Sequence, residues 1–246
     1  MPRQLKLPLG NYSSHQFKPI AHAQQGARRY AESQGMNWAP PNSQIQQDPQ
    51  RRAATAQAYK RAQGGAEIPE IKRSYEAMRQ HVQSQYEFMT KPEHEGGMGI
   101  SVETTPQDPY SSHKEMAEDL RANRRLKVLS TEATGPHAYF SNEENDRFRA
   151  VHDVFGHGAA GRGFSRHGEE AAYLSHQQMF PPEAHAALTS ETRGQNSYLN
   201  TEGSFPEQGS KLIGLPKWAE SNIKGEYGQA KPKQQKPQGQ QQRLGL

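Results

Sequence analysis

The clearest hydrophobic pattern in the chain follows Pro69, where apolar side chains recur every three or four residues. This spacing places them along one side of an α-helix, so it predicts a helix with a buried stripe. Asp48 and Pro49 are typical of a helix start, and they predict a shorter helix that closes at Gly64 and Gly65. The stripe comprises Ile71, Tyr75, Met78, Val82, Tyr86 and Met89.

The pattern changes to alternation in two short segments that lie on either side of another helix. Apolar residues alternate with polar ones between residues 96 and 105, and a second apolar run covers residues 126–130, so each predicts a strand. Between them, Ser112 and Glu115 have the spacing of a reciprocal helix cap. The chain is therefore expected to fold as a mainly helical α+β domain with a few short strands.

A second capping pair, Ser141 and Glu144, predicts a helix that begins near Asn142 and leads into two histidines. His152 and His157 are five residues apart, which is about 140° on an ideal α-helix. The two imidazoles can therefore reach one ion only if the helix ends or distorts between them. Gly156 stands where that break is expected.

His152 shares a helix face with Phe148 and Phe155, so its imidazole is expected to point inward, where it needs a hydrogen-bond partner or a metal. One interpretation is a half-buried helix end whose histidines bond backbone carbonyls. Two histidines beside the carboxylate of Asp153 favour a metal site instead. Farther along, Glu191 has the helical spacing that places it beside Leu188 on an inward face.

Composition divides the chain into three parts. Only 32% of the residues are hydrophobic, which favours one domain with tails over a chain that is globular throughout. Residues 1–61 carry a net charge of +7, residues 62–223 carry −7, and residues 224–246 carry +4. We expect an extended basic arm over 1–45, a mainly helical metal-binding domain over 46–223, and a disordered tail rich in Gln, Lys and Pro over 224–246.

Several classes of protein are disfavoured by what the sequence lacks. It has no cysteine, so disulfides, thiolate ligands and a cysteine nucleophile are excluded. There is no Gly-x-Ser-x-Gly segment of a serine hydrolase. No apolar run has the length of a membrane span, and the first residues lack the apolar block of a signal peptide. We expect a soluble cytoplasmic protein without membrane contact, in the host cytoplasm or the virion if it is viral.

The segment from His152 to His157 resembles the iron-binding motif of the aromatic amino acid hydroxylases, in which two histidines hold the metal. Thr189, Glu191 and Gly194 are similar to the segment that supplies the third ligand in that family, with one extra residue between acid and glycine. The resemblance implies a reduced form of that catalytic core, with His152, His157 and Glu191 as ligands of Fe(II). It also implies that Asp153 lines a tetrahydropterin pocket, as a cofactor-binding and catalytic residue.

A second resemblance covers more of the chain and concerns a group of phage and mobile-element proteins. These share the pattern HDxFGH, then Gly-Glu-Glu, then Glu-Thr-Arg-Gly-Gln-Asn-Ser, found here at 152–157, 168–170 and 191–197. The resemblance implies a viral origin and a possible place in the virion, and it implies no activity.

These observations favour a non-haem iron hydroxylase that acts on a small aromatic or heterocyclic substrate with tetrahydropterin or another reductant. Arg193 is a candidate catalytic residue that would orient the substrate. One alternative is a zinc hydrolase, with Asp153, Glu169 or Glu170 as general base. Another is a virion or assembly protein with a structural metal or histidine cluster, whose basic tails contact nucleic acid weakly. If Glu191 faces outward, Glu169 and Glu170 are the next candidates for the third ligand.

Overall fold

The computed structural model describes residues 17–41, 45, 47–62, 64–65, 67–204 and 206, and they form a mainly helical single domain with a small parallel sheet. This architecture confirms the expected mainly helical α+β class. Within these residues, no helix combines the length and the apolar character needed to cross a membrane. The predicted tail over 224–246 lies outside the described residues.

The helices and strands follow one another in a simple order. They are α1 (Ala21–Ser33), α2 (Pro49–Arg61), α3 (Pro69–Thr90), β1 (Ser101–Thr105), α4 (His113–Asn123), β2 (Arg125–Leu129), α5 (Thr131–Thr134), α6 (Asn142–Val151), α7 (Arg166–Gln177), α8 (His185–Thr189) and α9 (Gln195–Glu202). Two π-helical segments interrupt this order, the first at His152–Gly158 and the second at Ser190–Gly194. Short 3-10 turns cover Glu93–Glu95 and Pro182–Ala184.

The core is organised around α3, whose predicted stripe is buried except at Tyr86, which is half-buried. Ile71, Tyr75, Met78, Val82 and Met89 are all at most 3% exposed, and they join one hydrophobic cluster with residues of α1 and α6. A polar member of the same face, Gln85, is also completely buried. The helical period of the sequence therefore identified the element against which the rest of the chain packs.

The predicted extended arm is corrected by the structure over residues 21–33, which form α1. This helix buries Ala23, Ala27 and Tyr30 in the main core. Small apolar residues at helical spacing make this face, and alanine is the strongest helix former, which explains why the segment is helical. The backbone N–H of Ile20 donates to the carbonyl of Gly158 at 2.9 Å, so the start of α1 is attached to the first π-helical segment.

The two strands form a parallel pair in which Val102 lies opposite Leu126 and Thr104 opposite Val128. A parallel pair needs a crossover connection, and α4 supplies it. The hydroxyl of Ser112 caps α4 by accepting from the N–H of Glu115, which is one half of the predicted reciprocal cap. The carboxylate of Glu115 accepts from the N–H of Ser111 instead of that of Ser112. This βαβ unit leads through α5 into α6, which carries the histidines.

Candidate metal centre

The first π-helical segment brings His152 and His157 to the same side of the helix. It continues α6 without a break and has its hydrogen bonds between residues five apart, which aligns the two histidines. Their ring centroids lie 5.2 Å apart, with the rings nearly perpendicular. The sequence predicted a break or a distortion between them, and the structure has the distortion.

Gly156 has a different role from the predicted helix break. It lies inside the π-helical segment, where a Cβ would meet the Ala172 carbonyl oxygen at 3.1 Å, the Ala172 Cβ at 3.2 Å and the Cε1 of His152 at 3.2 Å. Glycine therefore lets α7 approach closely and leaves room for the imidazole of His152. The requirement is for space rather than for an unusual backbone conformation.

Glu169 completes the group from the first turn of α7. Its Oε2 lies 3.4 Å from the Nε2 of His157 and 3.9 Å from the Nε2 of His152. One ligand atom from each of the three residues falls within 4.8 Å of the others, so they could hold a metal ion. Ser165 caps α7 by accepting from the N–H of Gly168, and the positive end of the helix dipole favours the Glu169 carboxylate there.

The imidazole of His157 is fixed in one orientation. Its Nδ1 lies 3.0 Å from the carbonyl oxygen of Arg162, and a carbonyl can only accept, so Nδ1 carries a proton. The edge of Phe164 packs against the ring with centroids 4.9 Å apart. The other nitrogen, Nε2, therefore faces Glu169, which is the arrangement that orients a metal-ligating histidine.

Charges in this group shift the pKa of both partners in the absence of a metal. Burial lowers the pKa of His157, but the Glu169 carboxylate, the charge of Asp153 and the hydrogen bond with the Arg162 carbonyl together outweigh burial and raise it to about 9. Burial raises the pKa of Glu169, and the two imidazoles outweigh it and hold it at about 2. The metal-free group is thus an ion pair at neutral pH, and an incoming cation would replace the proton on His157.

The distances are compatible with a metal after a small adjustment. Bonds of about 2.0–2.2 Å place neighbouring ligand atoms about 3.0–3.6 Å apart around one ion. The Nε2 atoms of His157 and His152 lie 3.4 and 3.9 Å from the carboxylate oxygen of Glu169. The distance from His157 already lies within that range, and the distance from His152 exceeds its upper limit by 0.3 Å.

Asp153 lies between the two histidines in sequence, half-buried, and is not a member of the group within 4.8 Å. Burial raises the pKa of its carboxyl to about 6, and the negative charge of Glu169 acts in the same direction against the pull of both imidazoles. Its carboxyl is therefore close enough to interact electrostatically with His152, His157 and Glu169, and it can exchange a proton near neutral pH.

Glu191, the third ligand predicted from the sequence, occupies a different polar cluster. Its carboxylate accepts hydrogen bonds from the hydroxyl of Tyr75 and the amide of Gln195, and it lies 3.2 Å from the Nε2 of His137. It does face inward on the second π-helical segment, as its spacing indicated. In the described part of the chain, however, the carboxylate that joins His152 and His157 is that of Glu169.

The candidate catalytic residue Arg193 also lies in another cluster. Its guanidinium forms a buried ion pair with Glu170 and covers the ring of Tyr173, with 4.3 Å to the centroid. Arg51 from α2 lies 3.5 Å from the same carboxylate. Glu170, the other acid considered as a third ligand, thus joins α2, α7 and the second π-helical segment.

Sequence reasoning missed His176, which contacts His152, and Gln85, which contacts His176. The Nδ1 of His176 lies 3.2 Å from the Nδ1 of His152, and the Nε2 of His176 lies 2.7 Å from the Oε1 of Gln85. Burial holds the pKa of His176 well below its usual value. A signal was present, because Gln85 is a polar residue on the face of the α3 stripe and His176 is seven residues after Glu169 on one face of α7.

The fold and this group define a mainly helical protein with a candidate centre of two histidines and one carboxylate. No family model, curated protein or solved structure matches the chain. The assignment of function therefore depends on the chemistry of the group itself.

Proposed function

We propose that the protein is a metal-dependent enzyme in which His152, His157 and Glu169 hold one iron(II) ion, and that it hydroxylates a small aromatic or heterocyclic substrate. The observation that carries this proposal is the convergence of two imidazole nitrogens and one carboxylate oxygen within 4.8 Å. Two histidines and one carboxylate with open positions are the ligand set of non-haem iron oxygenases.

The number of ligands favours a catalytic centre over a structural one. Structural sites for zinc usually have four protein ligands and are closed, whereas catalytic sites keep a position open. The group found among the described residues has three members, and Glu169 is partly exposed at 22% of its side-chain surface. Small molecules can therefore reach the side of the group that the protein leaves uncovered.

Each residue has a definite task in this proposal. His152 and His157 bind as neutral imidazoles, and Glu169 supplies the negative charge of the ligand face. Iron(II), when bound, supplies the ability to activate oxygen with a reductant such as tetrahydropterin. Asp153, whose pKa is raised by burial to about 6, holds or releases a proton at its carboxyl beside that face.

A zinc hydrolase is the second candidate, because the same three ligands occur in zinc enzymes and the pKa of Asp153, raised by burial to about 6, suits a general base. The spacing argues for iron. The zinc-protease helix has its two histidines four residues apart, whereas here they are five apart on a π-helical segment. The resemblance of residues 152–157 to the aromatic amino acid hydroxylases supports the same choice.

A role in a virion is the non-enzymatic alternative, and it is supported by the resemblance to phage proteins over 152–157, 168–170 and 191–197. In that case the histidines stabilise the fold or an assembly, and the basic tails contact nucleic acid. It differs from the enzyme proposal in one measurable way, since it requires no oxygen chemistry.

The test is elemental analysis of full-length protein purified without oxygen, followed by reconstitution with iron(II). We expect one iron per chain and oxygen uptake with at least one of tetrahydropterin, 2-oxoglutarate and ascorbate. His152→Ala and Glu169→Gln should abolish both. Glu191→Gln makes the same chemical change at the other candidate carboxylate and should retain the iron.

Two results would overturn the proposal. One is tight binding of zinc without oxygen uptake under any reductant, which would favour the hydrolase. The other is a protein that binds no metal and in which the histidine variants lose only thermal stability, which would favour the structural role.

A further inference from the structure

His152 is connected to the interior of the protein by a chain of buried hydrogen bonds that ends at a backbone carbonyl. Its Nδ1 lies 3.2 Å from the Nδ1 of His176, whose Nε2 lies 2.7 Å from the Oε1 of Gln85. The Nε2 of Gln85 donates to the carbonyl oxygen of Met179 at 3.0 Å. His176 and Gln85 are completely buried.

The chemistry of these groups fixes the direction of every hydrogen bond in the chain. The carbonyl of Met179 only accepts, so the amide atom that faces it must be the NH₂ of Gln85. The other amide atom is then the oxygen, which also only accepts, so the Nε2 of His176 carries a proton. A neutral imidazole has one proton, which leaves the Nδ1 of His176 as an acceptor.

The proton on His152 follows from the proton on His176. Because the Nδ1 of His176 accepts, the Nδ1 of His152 must donate to it. The proton of a neutral His152 therefore lies on Nδ1, and the lone pair lies on Nε2, the atom that faces Glu169. Which nitrogen of a histidine binds a metal is set by the hydrogen bond that the other nitrogen makes.

We infer that Gln85 and His176 are positioning residues that hold His152 in its Nδ1–H tautomer and so present its Nε2 to the metal. The effect on the metal rests on the function proposed above, whereas the tautomers are properties of the metal-free protein. Partners of this kind usually contribute 10–100-fold to metal affinity. His176 is shielded from water by three aromatic side chains. The rings of Phe148, Phe155 and Phe180 have their centroids within 6.4 Å of that of His176.

The chain of hydrogen bonds from His152 through His176 to Gln85, called the relay below, also explains why α3 and α7 both have to be in place for the centre to form. Gln85 lies on the buried face of α3 and His176 in the last turn of α7. The first π-helical segment continues α6 and packs against α7, and it supplies both histidine ligands. His157 needs only the nearby carbonyl of Arg162 for its orientation, but His152 depends on two distant helices.

The direct test is nitrogen NMR of the metal-free, full-length protein labelled with ¹⁵N-histidine. An imidazole nitrogen that carries a proton and one that does not have well-separated ¹⁵N chemical shifts, so each tautomer can be assigned. We expect His176 to carry its proton on Nε2 and to keep Nδ1 unprotonated. A proton on the Nδ1 of His176 would overturn the inference, whether or not the protein binds a metal.

A matched pair of variants tests the effect on the metal. His176→Asn retains an acceptor near the position of Nδ1, whereas His176→Leu has a similar volume and no acceptor. Titration with iron(II), and with zinc as a second ion, should show a 10–100-fold loss of affinity for His176→Leu and a much smaller loss for His176→Asn. Equal losses in the two variants would mean that packing matters and not the acceptor, which contradicts the inference.

The two proposals fail in different ways. A wild-type protein that binds neither ion defeats the proposed function, and the NMR measurement still decides whether the relay exists. A wild-type protein that binds iron but has the opposite tautomer at His176 keeps the function and loses the relay.

Discussion

Gly156 packs directly against Ala172, and a methyl group on the glycine would lie 3.1 Å from the Ala172 carbonyl oxygen. This contact joins the first π-helical segment to α7, the two elements that carry all three candidate ligands. The spacing between the ligands therefore depends on how closely these elements approach.

Gly156→Ala should separate the two elements and weaken both folding and metal binding. The added methyl group has to displace backbone as well as the ring of His152, and overpacking of this kind costs about 1–3 kcal/mol. Gly158→Ala is a matched control in the same segment, because its added Cβ would meet nothing closer than 3.4 Å. Thermal denaturation and iron titration should show a loss for the first variant only, and equal behaviour of the two would contradict the prediction.

Metal affinity should rise as the pH is raised towards 9. The Glu169 carboxylate, together with Asp153 and the Arg162 carbonyl, outweighs burial and raises the pKa of His157 to about 9 in the metal-free protein, so at lower pH a bound cation has to displace a proton. Zinc titrations between pH 6 and 9.5 should show this increase, and calorimetry in buffers of different ionisation enthalpy should show proton release. A zinc affinity that does not change across this pH range would contradict the ion pair between His157 and Glu169.

The same pair should make the metal-free protein less stable at alkaline pH. The pKa of His157 is raised above its unfolded value of about 6.5, so its contribution is fully present below that pH and is lost as the pH rises through about 9. Urea unfolding of metal-free protein at pH 6, 7.5 and 9.5 measures the trend. Glu169→Gln removes the partner charge and should flatten it.

Tyr75→Phe should destabilise the protein without removing the metal. The hydroxyl of Tyr75 donates to the buried carboxylate of Glu191, and removing one partner of a buried charged group costs about 1–3 kcal/mol. Because that carboxylate lies outside the metal group, the iron content should stay at one per chain. A loss of iron in a variant that is still folded would instead connect Glu191 with the centre.

Asp119 should make the βαβ unit sensitive to acid. Burial raises the pKa of its carboxyl, but hydrogen bonds from Arg125, Asn123 and Tyr110 together outweigh burial and lower it below 3.8. The contribution is therefore present above that value and is lost as the pH falls below it. Asp119→Asn should reduce the free energy of unfolding at pH 7 and reduce its dependence on acid, as urea titrations at pH 7 and pH 3 would show. Glu103→Gln, on the exposed side of β1, should change neither.

The parts of the fold that could be predicted from the sequence are those fixed by neighbouring residues. The helix caps at Asp48, Ser112 and Ser141 make the side-chain hydrogen bonds expected of them, and the stripe of α3 is buried except at Tyr86. These features depend on residues three or four apart, so a local pattern contains them. The helix over 21–33 was missed because its buried face is built largely from alanine, which contributes little to a hydrophobic pattern.

The third carboxylate could not be chosen from the sequence, because tertiary packing decides it. Glu169 and Glu191 are both on helical segments and both face inward. Their difference comes from long-range neighbours: Glu191 meets Tyr75 of α3, whereas Glu169 meets the two histidines of the π-helical segment. The same holds for His176 and Gln85, which come together from helices that are distant in sequence.

The first π-helical segment has a further consequence, which concerns the residues between the ligands. An ordinary α-helix would also bring two histidines to one face at a spacing of four, with three residues between them. Here four residues intervene, among them the acid Asp153 and the glycine Gly156. Asp153 is half-buried beside the ligand face, and Gly156 is buried against α7. Deleting one residue between the histidines would preserve a metal-binding pair on an ordinary α-helix. It would also change the positions of Asp153 and Gly156 relative to the two ligands.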